Sequence, residues 1–238
     1  MNTTEAISRD LSLSRAAVIA GVCLLFMAIL GPFANFMVLQ KVLIPGDASE
    51  TLRNLEASAG LFRTGTGSFM LVAILDIIVA WALYILMRPV HTSLALLTAW
   101  FRVVYATIFG AAIFNLIEVV PMIDGAASLA GWTTIQRETL AMSGLTAFQS
   151  AWNAGLIVFS LHLLGLGYLV FRSGYMPKYL GILLIIAFLG YFIDGIGTLL
   201  FPSYDLTLAM YTFIGEVVLI FWLLIQGRKL HDIRGESA

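Results

Sequence analysis

Charged residues are scarce in this sequence. They make up 11% of its 238 residues, whereas hydrophobic residues make up 60%; a soluble domain carries about 25% charged residues. The charge is missing from long uninterrupted stretches, which is the pattern of membrane-spanning helices. The net charge is −1, so no overall field favours nucleic acid. We therefore predict an integral membrane protein whose partner is the lipid bilayer, with no nucleic-acid partner.

Cysteine is almost absent as well. The chain has one cysteine, Cys23, which excludes an intrachain disulfide and any metal site built from several cysteines. Phosphate-binding loops, nucleophile elbows and HExxH motifs do not occur. Asp76, His162 and Glu216 could together bind a metal ion, but Arg102 nearby would repel a cation. The sequence thus predicts neither a metal nor a cofactor.

Long hydrophobic runs are what the sequence has in abundance. A transmembrane helix needs about 20 mostly apolar residues. The segments that meet this requirement are 16–39, 64–87, 92–117, 145–171, 177–199 and 206–226. The first is longer than the apolar region of about 7–15 residues in a secretory signal peptide, so we expect it to be retained. We predict an all-α fold, a polytopic bundle of six transmembrane helices that forms one domain over residues 1–238.

Prolines agree with these boundaries. Pro89 separates the second and third spans, Pro121 is expected to follow the third, and Pro202 follows the fifth. Pro32 lies inside the first span, directly after Gly31. A proline there should kink the helix; the alternative is a break that lines a cavity.

The distribution of lysine and arginine predicts the orientation, because short cytoplasmic loops carry an excess of both. With the N-terminus inside, the inner segments carry eight of them: Arg9, Arg15, Arg88, Arg172, Lys178, Arg228, Lys229 and Arg234. The outer loops carry four: Lys41, Arg53, Arg63 and Arg137. We therefore predict that both termini are cytoplasmic.

Two outer connections have helical patterns. Asp47 can cap a helix in which Glu50 stands three residues on. The apolar face of this helix would comprise Leu52, Leu55, Ala59 and Phe62. This pattern predicts a short interfacial helix on the outer surface. Residues 132–144 could similarly extend the fourth helix outward. Both segments are expected to cover the bundle, and partner binding is the alternative.

Four ionisable residues fall at one depth in four different spans. Arg102, Asp76, His162 and Glu216 each lie about 9–11 residues from the inner end of their span, or about 15 Å deep at 1.5 Å per residue. That level is near the middle of a hydrocarbon core about 30 Å thick. Such groups avoid lipid, so we expect them to face the bundle interior and to pair with one another.

Charge balance makes this cluster a predicted proton-binding site. Asp76 is the first candidate partner of Arg102, because a tight hairpin joins their spans, and Glu216 is the second. Two carboxylates then face one permanent cation. Either His162 is protonated or one carboxylate is neutral, because isolated buried charge is costly. A network that only fixes the order of the helices is the alternative.

A second polar layer is predicted in the outer half. Asp194 lies higher in the fifth span, on one face with Gly190 and Gly197, which would leave room around its carboxylate. The other members of this layer are Asn35, Asn115, Glu118, Gln149 and Asn153. Asn153 and His162 are nine residues apart, about half a turn out of phase. Either the fourth span is central or one of these two side chains points away from the cavity.

Several stretches resemble a family of bacterial integral-membrane proteins known as domain of unknown function 4386. They are "LFR", "LDIIVAWALYILMRPV", "FRVVYA", "HLLGLGYLVFRSGYMPKYLGILLIIAFLGYFID", and "GE" before "LLIQGRKL". The resemblance runs from about Arg15 to Gly227 and is most specific from the fourth to the fifth span. It implies a six-helix protein of the bacterial cytoplasmic membrane and no established activity.

The leading functional hypothesis is binding or proton-linked transport of a small polar or amphipathic ligand in a central cavity. Arg102 would hold an anionic group, Asp76 and Glu216 would hold Arg102 or exchange protons, and Asp194 would line the outer entrance. One alternative is an intramembrane enzyme acting on a lipid or isoprenoid-like substrate, with Asp194 or Glu216 as the general acid. The other is a structural or signalling membrane partner.

Overall fold

The computed structural model of the protein describes residues 11–124, 131–201 and 203–230. Over these residues the secondary structure consists of helices joined by short turns, without strands. Six helices in this part of the chain are long and apolar enough to cross a membrane. The predicted all-α bundle of six membrane-spanning helices is therefore confirmed.

The helices follow one another along the chain as α1 (Leu13–Pro32), a π-helical segment (Phe33–Leu39), α2 (Gln40–Val42), α3 (Ala48–Ala57), α4 (Ala59–Met87), α5 (Thr92–Asp124), α6 (Thr134–Arg172), α7 (Lys178–Leu200), α8 (Ala209–Thr212), α9 (Ile214–Ile225) and a 3-10 turn (Gly227–Lys229). The first span is α1 with its π-helical segment, and the second to fifth spans are α4, α5, α6 and α7. The sixth span is α8 together with α9.

The first span changes from an α-helix to a π-helix at Pro32. The hydroxyl of Ser12 caps α1 by accepting a hydrogen bond from the backbone N–H of Arg15 at 3.3 Å. At Pro32 the α-helix passes into the π-helical segment. Proline has no N–H to donate, and its ring crowds the carbonyl one turn earlier. Wider π turns accommodate this defect, so the irregularity predicted at this proline is found as wide helical turns.

A short helix covers the end of the bundle opposite the described termini. Asp47 caps α3 by accepting a hydrogen bond from the backbone N–H of Glu50 at 2.8 Å. Leu52 and Leu55 are buried, and α3 packs against α6 and α5. The predicted helix is present, and its Leu52 and Leu55 pack onto the bundle. Ala59 and Phe62, which were predicted for the same face, belong to the first turn of α4 instead.

Arg137 joins three elements at that end. Its Nη2 atom lies 2.5 Å from Oε1 of Glu56 on α3, and its Nε donates a hydrogen bond to the carbonyl of Met122 on α5 at 3.2 Å. Arg137 itself belongs to the outward extension of α6 that was predicted for residues 132–144. The arrangement fixes α3 across the ends of two spans.

The third and sixth spans differ from the prediction in ways that affect the site. The third continues to Asp124, so Pro121 lies inside the helix and the prediction that it follows the span is wrong. A proline in the last turn loses one intrahelical hydrogen bond without ending the helix. The sixth span is interrupted at Phe213, between α8 and α9. Glu216 therefore stands in the first turn of α9.

The six spans form a closed ring. Each span packs against its neighbours in the chain, and the first also packs against the sixth. The hydroxyl of Ser14 donates a hydrogen bond to the carbonyl of Arg228 at 2.6 Å. The beginning of the first span and the end of the sixth therefore lie on the same side of the bundle, as an even number of crossings requires.

Glycines permit a close crossing of the fourth and fifth spans. A methyl group added at Gly181 would lie 2.6 Å from the carbonyl oxygen of Gly167, and one added at Gly167 would lie 2.8 Å from the carbonyl oxygen of Gly181. The backbones of the fourth and fifth spans are thus in direct contact, as small residues allow between membrane helices. This crossing holds the inner halves of the two spans in place.

Candidate functional site

An ion pair lies at the centre of the bundle. Nη2 of Arg102 on α5 is 2.6 Å from Oδ1 of Asp76 on α4. The side chains are 3% and 1% exposed. A guanidinium buried this deeply needs a compensating charge, which the carboxylate supplies. Asp76, the first predicted candidate, is the acidic partner that the structure gives to Arg102.

His162 completes the coordination of the guanidinium. Its Nδ1 lies 2.9 Å from the carbonyl oxygen of Thr98, and its Nε2 lies 3.2 Å from Nη1 of Arg102. A carbonyl only accepts and a guanidinium only donates. Nδ1 must therefore carry the proton and Nε2 must be the acceptor, so the hydrogen bonds require a neutral imidazole. His162 does not supply the second positive charge that the sequence left open.

An aromatic ring covers the other side of the pair. The guanidinium carbon of Arg102 lies 5.4 Å from the centre of the Phe159 ring, and this ring also stacks on His162 with centres 5.8 Å apart. A cation over an aromatic face is stabilised by the negative potential of that face. The charge of Arg102 is thus matched by a carboxylate and screened by a ring.

Glu216 reaches the same space from the sixth span. It lies beside the hydroxyl of Tyr191 on α7, and its Oε1 atom is buried without a hydrogen-bond partner among the described residues. The acidic partner of Arg102 is Asp76 instead of Glu216. The second carboxylate of the predicted cluster is therefore present at the site but lacks a cation of its own.

Asp76, Arg102, Phe159 and Glu216 line a cavity of about 270 Å³, and His162 lies behind Arg102. All six spans contribute to its wall. The lining residues are Leu24, Met27, Ala28, Pro32, Val72, Asp76, Arg102, Tyr105, Trp152, Leu156, Phe159, Tyr191, Phe213, Glu216, Val217 and Ile220. Most of the wall is apolar, and a few polar groups interrupt it. That combination is typical of small-molecule sites.

Comparison with protein families identifies the chain. The model of a family described as domain of unknown function (DUF4386) matches residues 19–227. The chain belongs to the DUF4386 family. The match includes every residue of the ion pair and of the cavity wall. It also agrees with the resemblance found in the sequence.

A similar sequence occurs in an archaeon. A protein of the archaeon Archaeoglobus fulgidus, described as uncharacterized, is 42% identical over 163 residues, which cover 68% of this chain and 83% of the relative. No solved structure matches the chain. The comparisons thus assign the chain to the DUF4386 family without assigning an activity.

Asp194 has a different place from the one predicted for it. Its Oδ1 accepts hydrogen bonds from the hydroxyl of Tyr204 at 2.6 Å and from the backbone N–H of Leu208 at 3.0 Å, and its Oδ2 accepts one from the backbone N–H of Ala209 at 2.7 Å. Asp194 therefore holds the connection into the sixth span. It is not among the described residues that line the cavity.

The predicted outer polar layer is dispersed. Nδ2 of Asn115 donates to the carbonyl of Ala112, one turn back on its own helix, at 3.0 Å. Glu118 is exposed, whereas Asn35, Gln149 and Asn153 are half-buried. Among the described residues that line the central cavity, none of these five occurs. His162 is fully buried and Asn153 is not, which is the outcome expected for side chains half a turn apart.

The aromatic part of the wall was missed in the sequence. Tyr105 accepts a hydrogen bond from Nε1 of Trp152 at 3.2 Å, and its ring lies 4.9 Å from that of Phe159. The signal was present: Tyr105 is three residues after Arg102 and Phe159 three before His162, so each shares a helix face with a polar member of the cluster.

Proposed function

We propose that this DUF4386 protein binds a small amphipathic ligand in its central cavity and couples that binding, or the ligand's movement across the membrane, to protonation of Glu216. The observation that carries the proposal is a cavity lined by all six spans that contains a carboxylate without a cation. Buried ionisable groups in membrane proteins mark substrate and proton pathways by default.

The charge of the site supports this assignment. Asp76 neutralises Arg102, and the hydrogen bonds of His162 require it to be neutral. Glu216 is then the remaining charge. A lone carboxylate in an apolar environment is costly, so Glu216 is stabilised either by a proton or by a cationic group that enters the cavity. The two occupants exclude each other, which is the basis of coupling.

The ionisable side chains around Glu216 come from several spans. They are Asp76 on α4, Arg102 and Tyr105 on α5, Tyr191 on α7 and, behind the guanidinium, His162 on α6. Arg102 is the only cation in this set, and it is paired with Asp76. Glu216 is therefore the member whose charge depends most on what the cavity contains.

A variant that fills the cavity tests ligand binding. Val217 lines the cavity, whereas Ile214, three residues earlier on the same helix, is exposed on the bundle surface. We would screen small cationic, neutral and anionic amphiphiles for thermal stabilisation of the purified protein, Val217→Trp and Ile214→Trp. At least one class should stabilise the wild type and Ile214→Trp but not Val217→Trp.

An equal response of all three proteins to every compound would overturn binding in this cavity. It would also favour the alternative in which the ionic groups serve only to fix the order of the helices. Coupling is tested separately with any compound that binds. Its addition should release protons from the wild type and from Glu118→Gln, an exposed carboxylate outside the cavity wall, but not from Glu216→Gln. Equal proton release from all three would exclude Glu216.

A further inference from the structure

We infer that the ligand is an amphipathic organic cation, an amine or quaternary ammonium compound with an apolar body, which enters from the lipid between the first and sixth spans. This inference rests on the proposed function, because it specifies the chemistry of the ligand and its route into the same cavity. Three features carry it: the sign of the unmatched charge, the aromatic wall and the side on which the cavity opens.

The free hydrogen-bonding capacity of the site is mostly that of an acceptor. Oδ2 of Asp76 and Oε1 of Glu216 are buried without hydrogen-bond partners among the described residues. Nε of Arg102 also lacks one. The positive charge of Arg102 is nevertheless matched by Asp76 at 2.6 Å, whereas Glu216 forms no ion pair within the described part of the chain. One cation and two carboxylates leave a net negative cavity, which favours a positively charged guest.

Arg102 does not cancel this preference. Its guanidinium is bonded to Asp76 and His162 and is covered by the Phe159 ring. An anionic ligand would have to displace Asp76 from Arg102 or be held near Glu216 with like charges facing each other. Both arrangements are costly in a medium of low dielectric constant.

The wall provides aromatic faces for a cation. Tyr105, Trp152, Phe159, Tyr191 and Phe213 line the cavity. Such faces attract quaternary ammonium groups, and aromatic cages are their usual binding sites in proteins. A metal ion would gain little from these rings and would require several oxygen ligands. The lining therefore fits an organic cation with an apolar body.

The cavity opens on the side of the first and sixth spans. Ala28 and Pro32 on the first span and Phe213 on the sixth belong to the lining, yet they are exposed at the bundle surface. Ala28 and Phe213 lie about 20 Å from the inner ends of their spans at 1.5 Å per residue. That height is within a hydrocarbon core of about 30 Å, so the opening faces lipid.

The packing of the first span explains this opening. Near its inner end it contacts the sixth span closely: a methyl group added at Gly21 would lie 2.9 Å from Leu224. Beyond Pro32 the π-helical segment packs against the second span. A methyl group added at Gly65 on the second span would meet Val38 of this segment. The outer part of the first span therefore leans towards the second span, which separates it from the sixth.

Two compounds of nearly equal shape test the class of ligand. Benzyltrimethylammonium carries one positive charge, and neopentylbenzene is its neutral isostere; benzenesulfonate serves as the anion. We would measure the binding of each to the full-length protein in lipid nanodiscs. The cation should bind at least tenfold more tightly than the other two. Its affinity should rise about tenfold per pH unit while it competes with one proton, since binding then requires deprotonation of Glu216.

Variants connect this binding to the carboxylate. Glu216→Gln should lower the affinity for benzyltrimethylammonium at least tenfold, and Glu118→Gln should leave it unchanged. Glu216→Asp keeps the charge and should bind more tightly than Glu216→Gln. If the neutral compound or the anion binds as tightly as the cation, the ligand class is wrong although the binding cavity stands. If none of the three compounds binds, this inference fails. The proposed function fails only if the screen with Val217→Trp and Ile214→Trp also shows no binding in the cavity.

A neighbouring pair of variants tests the route. Ala28→Trp places a bulky ring at the opening, and Ile29→Trp places the same ring on the adjacent exposed position. Ala28→Trp should slow the association of benzyltrimethylammonium at least tenfold, whereas Ile29→Trp should leave its association rate unchanged. Equal association rates in both variants and the wild type would overturn lateral access.

Discussion

Arg102 and Asp76 belong to different spans, yet their side chains meet with Nη2 and Oδ1 only 2.6 Å apart, almost completely excluded from solvent. The hairpin between α4 and α5 is short, which places the two residues at the same height. Neither charge could be buried alone, because an isolated ion deep in the bundle is far more costly than a pair. The folding of these two spans is thus linked through one contact.

Removal of one partner of the ion pair should therefore lower the stability of the protein more than removal of both charges. Arg102→Ala should lower the free energy of unfolding by about 3–5 kcal/mol, since it leaves the Asp76 carboxylate buried without a cation. The neutral double variant Asp76→Asn with Arg102→Gln should lose less than the single variant. Reversible unfolding in mild detergent measures both changes.

Arg53 provides the control for this prediction. Its ion pair with Glu50 is on the surface, with the arginine side chain 76% exposed, and exposed pairs contribute at most about 1 kcal/mol. Arg53→Ala should therefore change stability little. The prediction is contradicted if Arg102→Ala is as mild as Arg53→Ala, or if the double variant is less stable than Arg102→Ala.

The crossing of the fourth and fifth spans should not tolerate an added methyl group. At Gly181 it would meet the carbonyl oxygen of Gly167 at 2.6 Å and the backbone nitrogen of Phe171 at 2.8 Å. Backbone atoms cannot move aside as a flexible side chain can, so the helices must separate. Gly181→Ala should cost about 1–3 kcal/mol, measured as a lower melting temperature in detergent.

Gly110 on α5 offers a matched substitution in a membrane helix. A methyl group added there meets nothing within 4 Å, and alanine favours the helix over glycine by up to about 1 kcal/mol. Gly110→Ala should be neutral or slightly stabilising. Similar melting temperatures for both alanine variants would show that the close crossing of the helices does not limit stability.

The height of buried groups could be predicted from the sequence better than their rotation about the helix. Counting residues from the span ends placed Arg102, Asp76 and His162 at one level, and the structure brings these three into contact. A residue count does not show which way a side chain points. It therefore could not decide between Asp76 and Glu216 as the partner of Arg102.

Helical periodicity in the sequence could not predict the contacts that loops make with the spans. Asp194 was assigned to a cavity entrance because it shares a helix face with small residues. Its partners are Tyr204 and the backbone at the start of the sixth span. They lie in or next to a connection whose sequence has no helical periodicity. The interruption of the sixth span at Phe213 could not be predicted either, because no proline or pair of glycines occurs there.

Tyr204 should report on the Asp194 contact through its titration. The hydrogen bond to Asp194 is the main cause that raises the pKa of Tyr204 to about 12, compared with about 10 for an unperturbed tyrosine. A pKa raised by folding means that the contact stabilises the protein below pH about 10 and ceases to do so as the pH rises through about 12. Tyrosinate absorbance, taken as the difference between the wild type and Tyr204→Phe, measures this pKa.

Two aspartate variants separate the causes. Asp194→Asn should move the pKa of Tyr204 most of the way back towards 10. Asp205→Asn should move it less, because Asp205 contributes a weaker charge effect without the hydrogen bond. If Asp205→Asn has the larger effect, the tyrosine is not held by Asp194 in solution.

Reporter fusions should place both termini in the cytoplasm. The excess of lysine and arginine on the predicted inner segments favours this orientation, and the hydrogen bond from Ser14 to the carbonyl of Arg228 requires one side for both ends. In a bacterial host, a fluorescent protein fused after the last residue should be fluorescent, and alkaline phosphatase fused there should be inactive. Insertion of alkaline phosphatase after Gly46, in the turn before α3, should give an active enzyme. The opposite pattern at both positions would reverse the orientation and place the lateral opening in the cytoplasmic half of the bilayer instead of the outer half.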